Sequence, residues 1–348
     1  MMAGELIDDV VYVREQSEGS RLYSKGNYGY PMRGGGLELD LIEATYLVEC
    51  KRLQVMYQKE EMTFEDLFNY SASNYSDFDI KYMVYRELRG RGMVVKVESG
   101  TFDMSVFPRG MTMSNSRPIY LVRAVSERAA FDISLFSGEL DQTENKGKTL
   151  LYGVVDEEGD VLYYRMSHCD PKGSVFHERK DRVTGQLIRD RVFVFDPNDS
   201  LMIYENGYFG KVIENVLQMS ILEACYLMGR KQLSVTMSGR KMSLEELMEF
   251  GRGSQEEFDL RFKAYSDARS RGLIVKTGLK YGTHFRAYED SPDKVHARYL
   301  MHAVDTSNRA MWPEISRAVR LSTGVKKEFL FCRIGESVEY LEFQWFRP

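Results

Sequence analysis

The sequence predicts an α+β protein built as a tandem duplication. Each repeat is expected to carry an N-terminal helical and small-sheet subdomain, then a C-terminal mixed α/β subdomain. Three observations lead there. Leu41-Ile42-Glu43-Ala44-Thr45-Tyr46-Leu47 recurs as Ile221-Leu222-Glu223-Ala224-Cys225-Tyr226-Leu227. Thr63-Phe64-Glu65-Asp66-Leu67 recurs as Ser243-Leu244-Glu245-Glu246-Leu247. Phe78-Asp79-Ile80-Lys81-Tyr82, with Arg91-Gly92-Met93-Val94-Val95-Lys96 after it, recurs as Phe258-Asp259-Leu260-Arg261-Phe262 and Arg271-Gly272-Leu273-Ile274-Val275-Lys276. All three share one offset of 180 residues, and a fixed long period marks a repeated structural unit. The spacing divides the chain into a first repeat over 1–170, a linker over 171–190 and a second repeat over 191–348. The second repeat divides in turn into subdomains near 191–276 and 277–348.

Taken in order, each repeat opens on a short strand, Val10–Val13 or Val192–Phe195, followed by a Gly-containing turn and an apolar helix through Glu43 or Glu223. The next helix starts at Thr63 or Ser243, whose hydroxyl suits an N-cap and whose following acids suit the helix dipole. A third helix, from Asp77 or Glu256, ends at Arg-Gly, where glycine takes the left-handed position past the C-terminus. Strands follow at Met93-Val94-Val95 and Leu273-Ile274-Val275, then at Tyr120–Val125 and Tyr299–Val304. Trp312-Pro313-Glu314 begins a helix, with proline in the first turn. Leu150–Val155 and Phe329–Ile334 read as strands, and each repeat closes on a last one, Val161–Tyr164 or Val338–Leu341.

Composition sets the outer limits. At 348 residues and 43% hydrophobic content the chain can build two cores of ordinary size. Its net charge of -5 does not advertise a nucleic-acid binder, so any such binding needs a locally basic cleft. The four cysteines, Cys50, Cys169, Cys225 and Cys332, form no CxxC pair, which disfavours structural zinc and a disulfide framework. His168, Cys169, Asp170 and His177 lack a recognised ligand spacing, so no metal and no cofactor is expected. No apolar run approaches the roughly 20 residues needed to span a bilayer, and the N-terminus lacks the pattern of a signal peptide. The expectation is a soluble, cytoplasmic protein without membrane contact.

Where the repeats disagree, the sequence points to chemistry. Tyr288 stands opposite Phe107, which keeps the ring and drops the hydroxyl. His296 stands opposite Arg117, and Lys327 falls opposite Gly147. The second repeat thus holds a phenol, an imidazole and an ammonium that the first is expected to lack. Such a trio can serve as base, acid and charge stabiliser in cleaving a phosphodiester without a metal. Two competitors are present: His284 for the acid and Lys326 for the ammonium.

On these residues the chain resembles the archaeal tRNA-splicing endonucleases, in the form that fuses a degenerate and an active repeat. The motifs are Phe285-Arg286-Ala287-Tyr288, His296-Ala297-Arg298-Tyr299-Leu300 and Arg320–Lys327. The resemblance implies that each C-terminal subdomain has the nuclease fold and that the second is catalytic. Tyr288 would take the proton from a ribose 2′-hydroxyl, His296 would protonate the leaving 5′-oxygen, and Lys327 would hold the charge on the phosphoryl oxygens. Products would be a 2′,3′-cyclic phosphate and a 5′-hydroxyl. The partner would be precursor tRNA, cut at bulge–helix–bulge junctions. A bulged base would be gripped by Arg320 and a tail residue, Trp345 or Arg347.

The resemblance also casts Asp156, Glu157, Glu158 and Asp160 as an acidic loop that docks on another copy, giving a homodimer. Taken alone, Glu-Glu-Gly-Asp is ordinary turn composition. Two rival functions stay open at this level: a non-catalytic RNA-binding subunit, and a general cyclising ribonuclease.

Overall fold

The computed structural model describes residues 2–176 and 182–348. His177 and the rest of 177–181, inside the expected linker, lie outside the described residues. The chain forms two compact units. The first comprises Met1–Ser167 with Arg309–Ile315 and Gln344–Pro348; the second comprises His168–Asn308 with Ser316–Phe343.

In the first unit a six-stranded sheet runs in the order Tyr30–Pro31, Leu37–Leu39, Val10–Val13, Met2–Ile7, Leu53–Tyr57, Glu60–Met62. In the second the order is the same: Lys211–Ile213, Val216–Ser220, Arg191–Val194, Val183–Ile188, Leu233–Met237, Arg240–Lys241. The helices Leu41–Glu49 and Ile221–Gly229, Phe64–Asn74 and Leu244–Ser254, and Phe78–Gly90 and Phe258–Ser270 pack beside these sheets. Thr63 and Ser243 both close capping boxes, with Asp66 and Glu246 at the third helical position. Each such cap stabilises its helix by about 1 kcal/mol. Gly92 and Gly272, at φ 80° and 81°, end the third helix as expected.

Two parts of the small sheets differ from the sequence reading. Val183–Ile188, inside the stretch 171–190 expected as linker, is a strand of the second unit, paired in parallel with Leu233–Met237. Its residues alternate between buried and exposed, as in a half-covered strand, within the charged stretch read as linker. Helices Gln16–Gly26 and Pro197–Gly207 occupy the stretch read as a turn. Each buries only three residues, so neither shows an apolar stripe in sequence.

Each repeat contributes five further strands, which carry the mixed α/β part. In the second unit, Ile274–Thr277, Phe285–Tyr288 and Tyr299–Asp305 are successive antiparallel neighbours. Tyr299–Asp305 then pairs in parallel with Glu328–Ile334, and the helix Trp312–Gly324 makes that crossover. Val338–Phe346 pairs antiparallel with Glu328–Ile334. The first unit repeats this pattern with Val95–Val97, Met104–Val106, Tyr120–Ser126, Thr149–Val155 and Val161–His168. Among the described residues no helix is long and apolar enough to cross a membrane.

Candidate active site

Antiparallel register delivers Tyr288 to the end of its strand, opposite Ile274. The chain then makes an excursion and returns to the same sheet position, where the Arg298 amide donates to the Ala287 carbonyl at 3.0 Å. Ser291, buried at the start of the excursion, ties it down: its carbonyl accepts from the amides of Lys294 and Val295, and its hydroxyl from Asp293. Because the loop closes on itself, His296 and Ala297 come back beside the strand that left. Ala297 and Tyr288 share a small buried cluster with Ile274.

Lys327 reaches the same place from another element. The helix Trp312–Gly324 ends in a Schellman arrangement: Lys326 is left-handed at φ 54°, its amide donates to the Thr323 carbonyl, and the Lys327 amide donates to the Ser322 carbonyl at 2.9 Å. That turn reverses the chain and aims Lys327 inward. Its Nζ donates to the Ala297 carbonyl at 2.7 Å. Ala297 is therefore the meeting point: its side chain packs with Tyr288, its carbonyl holds Lys327, and His296 precedes it in the chain. Lys326, at the left-handed corner, is exposed and makes no such bond among the described residues.

The Tyr288 ring is about nine-tenths buried, and among the described residues no group bonds its hydroxyl. His296 is exposed and equally uncommitted among them. Two neighbours were not singled out in sequence. Arg286 brings its guanidinium to 5.9 Å from the Tyr288 ring centroid, and Lys327 Nζ lies 5.8 Å from the ring of Tyr281. Arg286 could have been found, since residues two apart on a strand share a face. Arg298 braces the site by bonding Glu289 at 2.7 Å and Glu328 at 2.9 Å, and the Tyr299 hydroxyl also donates to Glu289.

His284 is not placed for the acid role. Its ring stacks on His302 with centroids 4.1 Å apart, and its Nδ1 accepts from the Ala303 amide. Burial first, then the His302 and Arg261 charges, pushes its pKa down to about 3; burial lowers that of His302 as well. Both folded-state values lie below the unfolded value of about 6.5. The pair thus contributes stability present above that value and lost as pH falls towards the folded values. A His302→Phe variant, keeping the His284 acceptor, should lose less of its melting temperature than the parent between pH 7 and 4.5. An equal loss in calorimetry would deny the pair this role.

Hydrogen-bond register corrects one of the matches between repeats. The Phe107 amide donates to the Val94 carbonyl, the match of Ile274, so Phe107 does stand where Tyr288 stands. The Ile119 amide donates to Val106 as Arg298 does to Ala287, which sets Arg117 at the place of His296. Gly147, however, matches Lys326 and not Lys327. It is left-handed at φ 64°, and the next residue, Lys148, donates its amide to Thr143 at 3.1 Å just as Lys327 does to Ser322. The first repeat therefore lacks the phenol and the imidazole but keeps a lysine. A single offset misled here because turns of unequal length intervene.

The remaining candidates are less concentrated. Arg320 is exposed on its helix in the second unit. Trp345 and Arg347 belong to the first unit, with the Arg347 guanidinium 4.7 Å from the Trp345 ring centroid. In the acidic loop, Asp156 spends its carboxylate on the amides of Glu158 and Asp160. Glu157 bonds Arg128 at 2.6 Å. Glu158 and Asp160 are exposed, and among the described residues their carboxylates bond nothing.

The duplicated α+β unit defines the class: two family patterns, an N-terminal and a C-terminal one, each match the chain twice. The sequence pattern described as tRNA intron endonuclease, N-terminal domain, matches residues 2–68 and 183–248. The pattern described as tRNA intron endonuclease, catalytic C-terminal domain, matches residues 78–163 and 258–340. The chain belongs to the tRNA intron endonuclease family. It is 32% identical to the tRNA-splicing endonuclease of Methanococcoides burtonii over 349 residues, 98% of each chain. To that of Methanosarcina mazei it is 33% identical over 332 residues, 93% of each. The tRNA-splicing endonuclease of Thermococcus kodakarensis is 40% identical over 161 residues, which are 46% of this chain and 95% of that relative.

Proposed function

We propose that this protein excises introns from precursor tRNA at bulge–helix–bulge junctions by metal-independent transesterification. The observation that carries the reading is the meeting at Ala297 of two groups from separate segments, the Tyr288 ring against its methyl and the Lys327 ammonium on its carbonyl, with His296 adjacent in the chain. Tyr288 takes the proton of the ribose 2′-hydroxyl as its oxygen attacks the adjacent phosphorus. His296, open to solvent, gives a proton to the departing 5′-oxygen. Lys327 faces the charge that builds on the non-bridging oxygens. The products are a 2′,3′-cyclic phosphate and a 5′-hydroxyl. DNA lacks the internal nucleophile and is left intact.

The test is cleavage of an intron-containing precursor tRNA in excess EDTA, with the product ends identified. Full activity and cyclic-phosphate ends are expected, with single-stranded RNA left uncut. Cleavage abolished by EDTA, or a 3′-hydroxyl product, defeats the mechanism.

The assembly we propose is a homodimer in which the acidic loop of one copy docks on the other. Asp156 shapes the loop itself, so its replacement tests loop folding. Glu158 and Asp160 face outward and test docking. Glu158→Lys with Asp160→Lys should convert the dimer to a folded monomer of low activity, measured by sedimentation and precursor cleavage. A fully active dimer would rule the loop out.

A further inference from the structure

Tyr208 is the one aromatic residue among the described non-glycine positions at positive φ. It follows the helix Pro197–Gly207 at φ 55° and ψ 32°. A bulky side chain at such a position is a strained outlier that persists only where the surroundings hold it. The matching position of the first repeat shows what an undemanding site uses. There Asn27, at φ 54°, follows the helix Gln16–Gly26, and its side chain accepts from the Met113 amide. Asparagine is one of the residues that enters this conformation most easily.

The match is secured on both sides. Arg89 donates to the Gly26 carbonyl at 2.8 Å and Arg269 to the Gly207 carbonyl at 2.9 Å. The guanidiniums of the two arginines lie over Tyr28 and Phe209 at 4.0 and 4.1 Å. The repeats thus share the backbone corner and differ in the residue that occupies it.

The ring explains the difference. Tyr208 packs against the cluster of Ile274, Tyr288 and Ala297, and edge-on against Tyr204 at 5.8 Å. Val175 packs on the same cluster, held there because its amide donates to Gly272 and that of Ser174 to Glu289. We infer that Tyr208 is a positioning residue for the reaction: its ring, held in a strained corner, fixes the Tyr288 phenol against Ala297 and Lys327. The inference rests on the reading of Tyr288 as the base. In the first repeat Phe107 has no proton to transfer, and the corner keeps its easy asparagine.

The test replaces the strained ring by the first repeat's own residue. Tyr208→Asn relaxes the backbone, so the melting temperature should hold or rise while kcat falls about 10- to 100-fold, the cost of a misplaced catalytic group. KM should stay within about threefold. Tyr208→Phe keeps the ring and should retain kcat within about twofold. Amide exchange along Phe285–Tyr288, followed by mass spectrometry, should quicken in Tyr208→Asn alone; this readout needs no activity.

Wild-type kcat with unchanged exchange in Tyr208→Asn overturns the inference. So does a rise in KM with kcat intact, which would make the ring an RNA contact. Tyr208→Phe as damaged as Tyr208→Asn would overturn the role of the ring. A Tyr288→Phe enzyme run in parallel separates the two claims. If it is fully active, the reading of Tyr288 fails and the catalytic role of Tyr208 falls with it. If it is inactive while Tyr208→Asn is normal, only the positioning role fails.

Discussion

Tyr288→Phe should lower kcat for precursor cleavage by about 10²–10⁴-fold, the range for losing a general base, with no change in melting temperature. The structural cost is small for two independent reasons. No described residue bonds the Tyr288 hydroxyl, so its removal leaves no buried partner unsatisfied. The first repeat already carries out the substitution: Phe107 sits at the same register position, equally buried, in an intact sheet. Activity and stability should therefore separate cleanly. Binding should be retained, because Arg286 and Lys327, and Arg320 exposed on its helix, are untouched. A Tyr288→Phe enzyme within fivefold of wild type in single-turnover cleavage would remove the phenol from the mechanism. The reading of the whole site would then have to move to another base.

Much of this was legible before any coordinates. The duplication shows in the fixed offset, and the N-caps at Thr63 and Ser243 and the glycine corners at Gly92 and Gly272 are local features, each fixed by a few adjacent residues. What escaped depends on distance in the chain. Ala297 looks inert in sequence, yet it carries the carbonyl that holds Lys327 and the methyl that packs on Tyr288. Only the closure of the Glu289–Arg298 excursion creates that meeting point. Tyr208 and Val175 are still more remote, and nothing in their local pattern marks them. The lysine match failed for a related reason. Residue offsets slide where loops differ in length, whereas hydrogen-bond register does not. The polar helices Gln16–Gly26 and Pro197–Gly207 escaped because tertiary contact to a few residues holds them, with no periodic stripe to read.

The lysine correction produces the sharpest contrast in the molecule. Lys327→Ala should reduce cleavage by about 10²–10³-fold, the typical loss when one preorganised stabiliser of transition-state charge is removed. Lys148→Ala should leave it unchanged. The two lysines follow the same helix-ending turn, with amide bonds to Ser322 and Thr143 of nearly the same length. Their sequence contexts and backbone geometry therefore give no reason for different effects. Their surroundings do. Lys327 reaches the carbonyl of Ala297, whose side chain packs on Tyr288 and which follows His296, whereas in the first repeat the register positions of that phenol and imidazole hold Phe107 and Arg117. An ammonium stabilises a developing phosphoryl charge only where a base and an acid are present to generate it. Lys327→Ala also strips the Ala297 carbonyl of a partner, worth about 1 kcal/mol. A slightly lower melting temperature is thus expected in this variant and not in Lys148→Ala. Kinetics and calorimetry on the pair measure both effects. If Lys148→Ala were to cost as much activity as Lys327→Ala, the first repeat could no longer be read as architecture alone. Chemistry would then have to be sought in both halves of the chain.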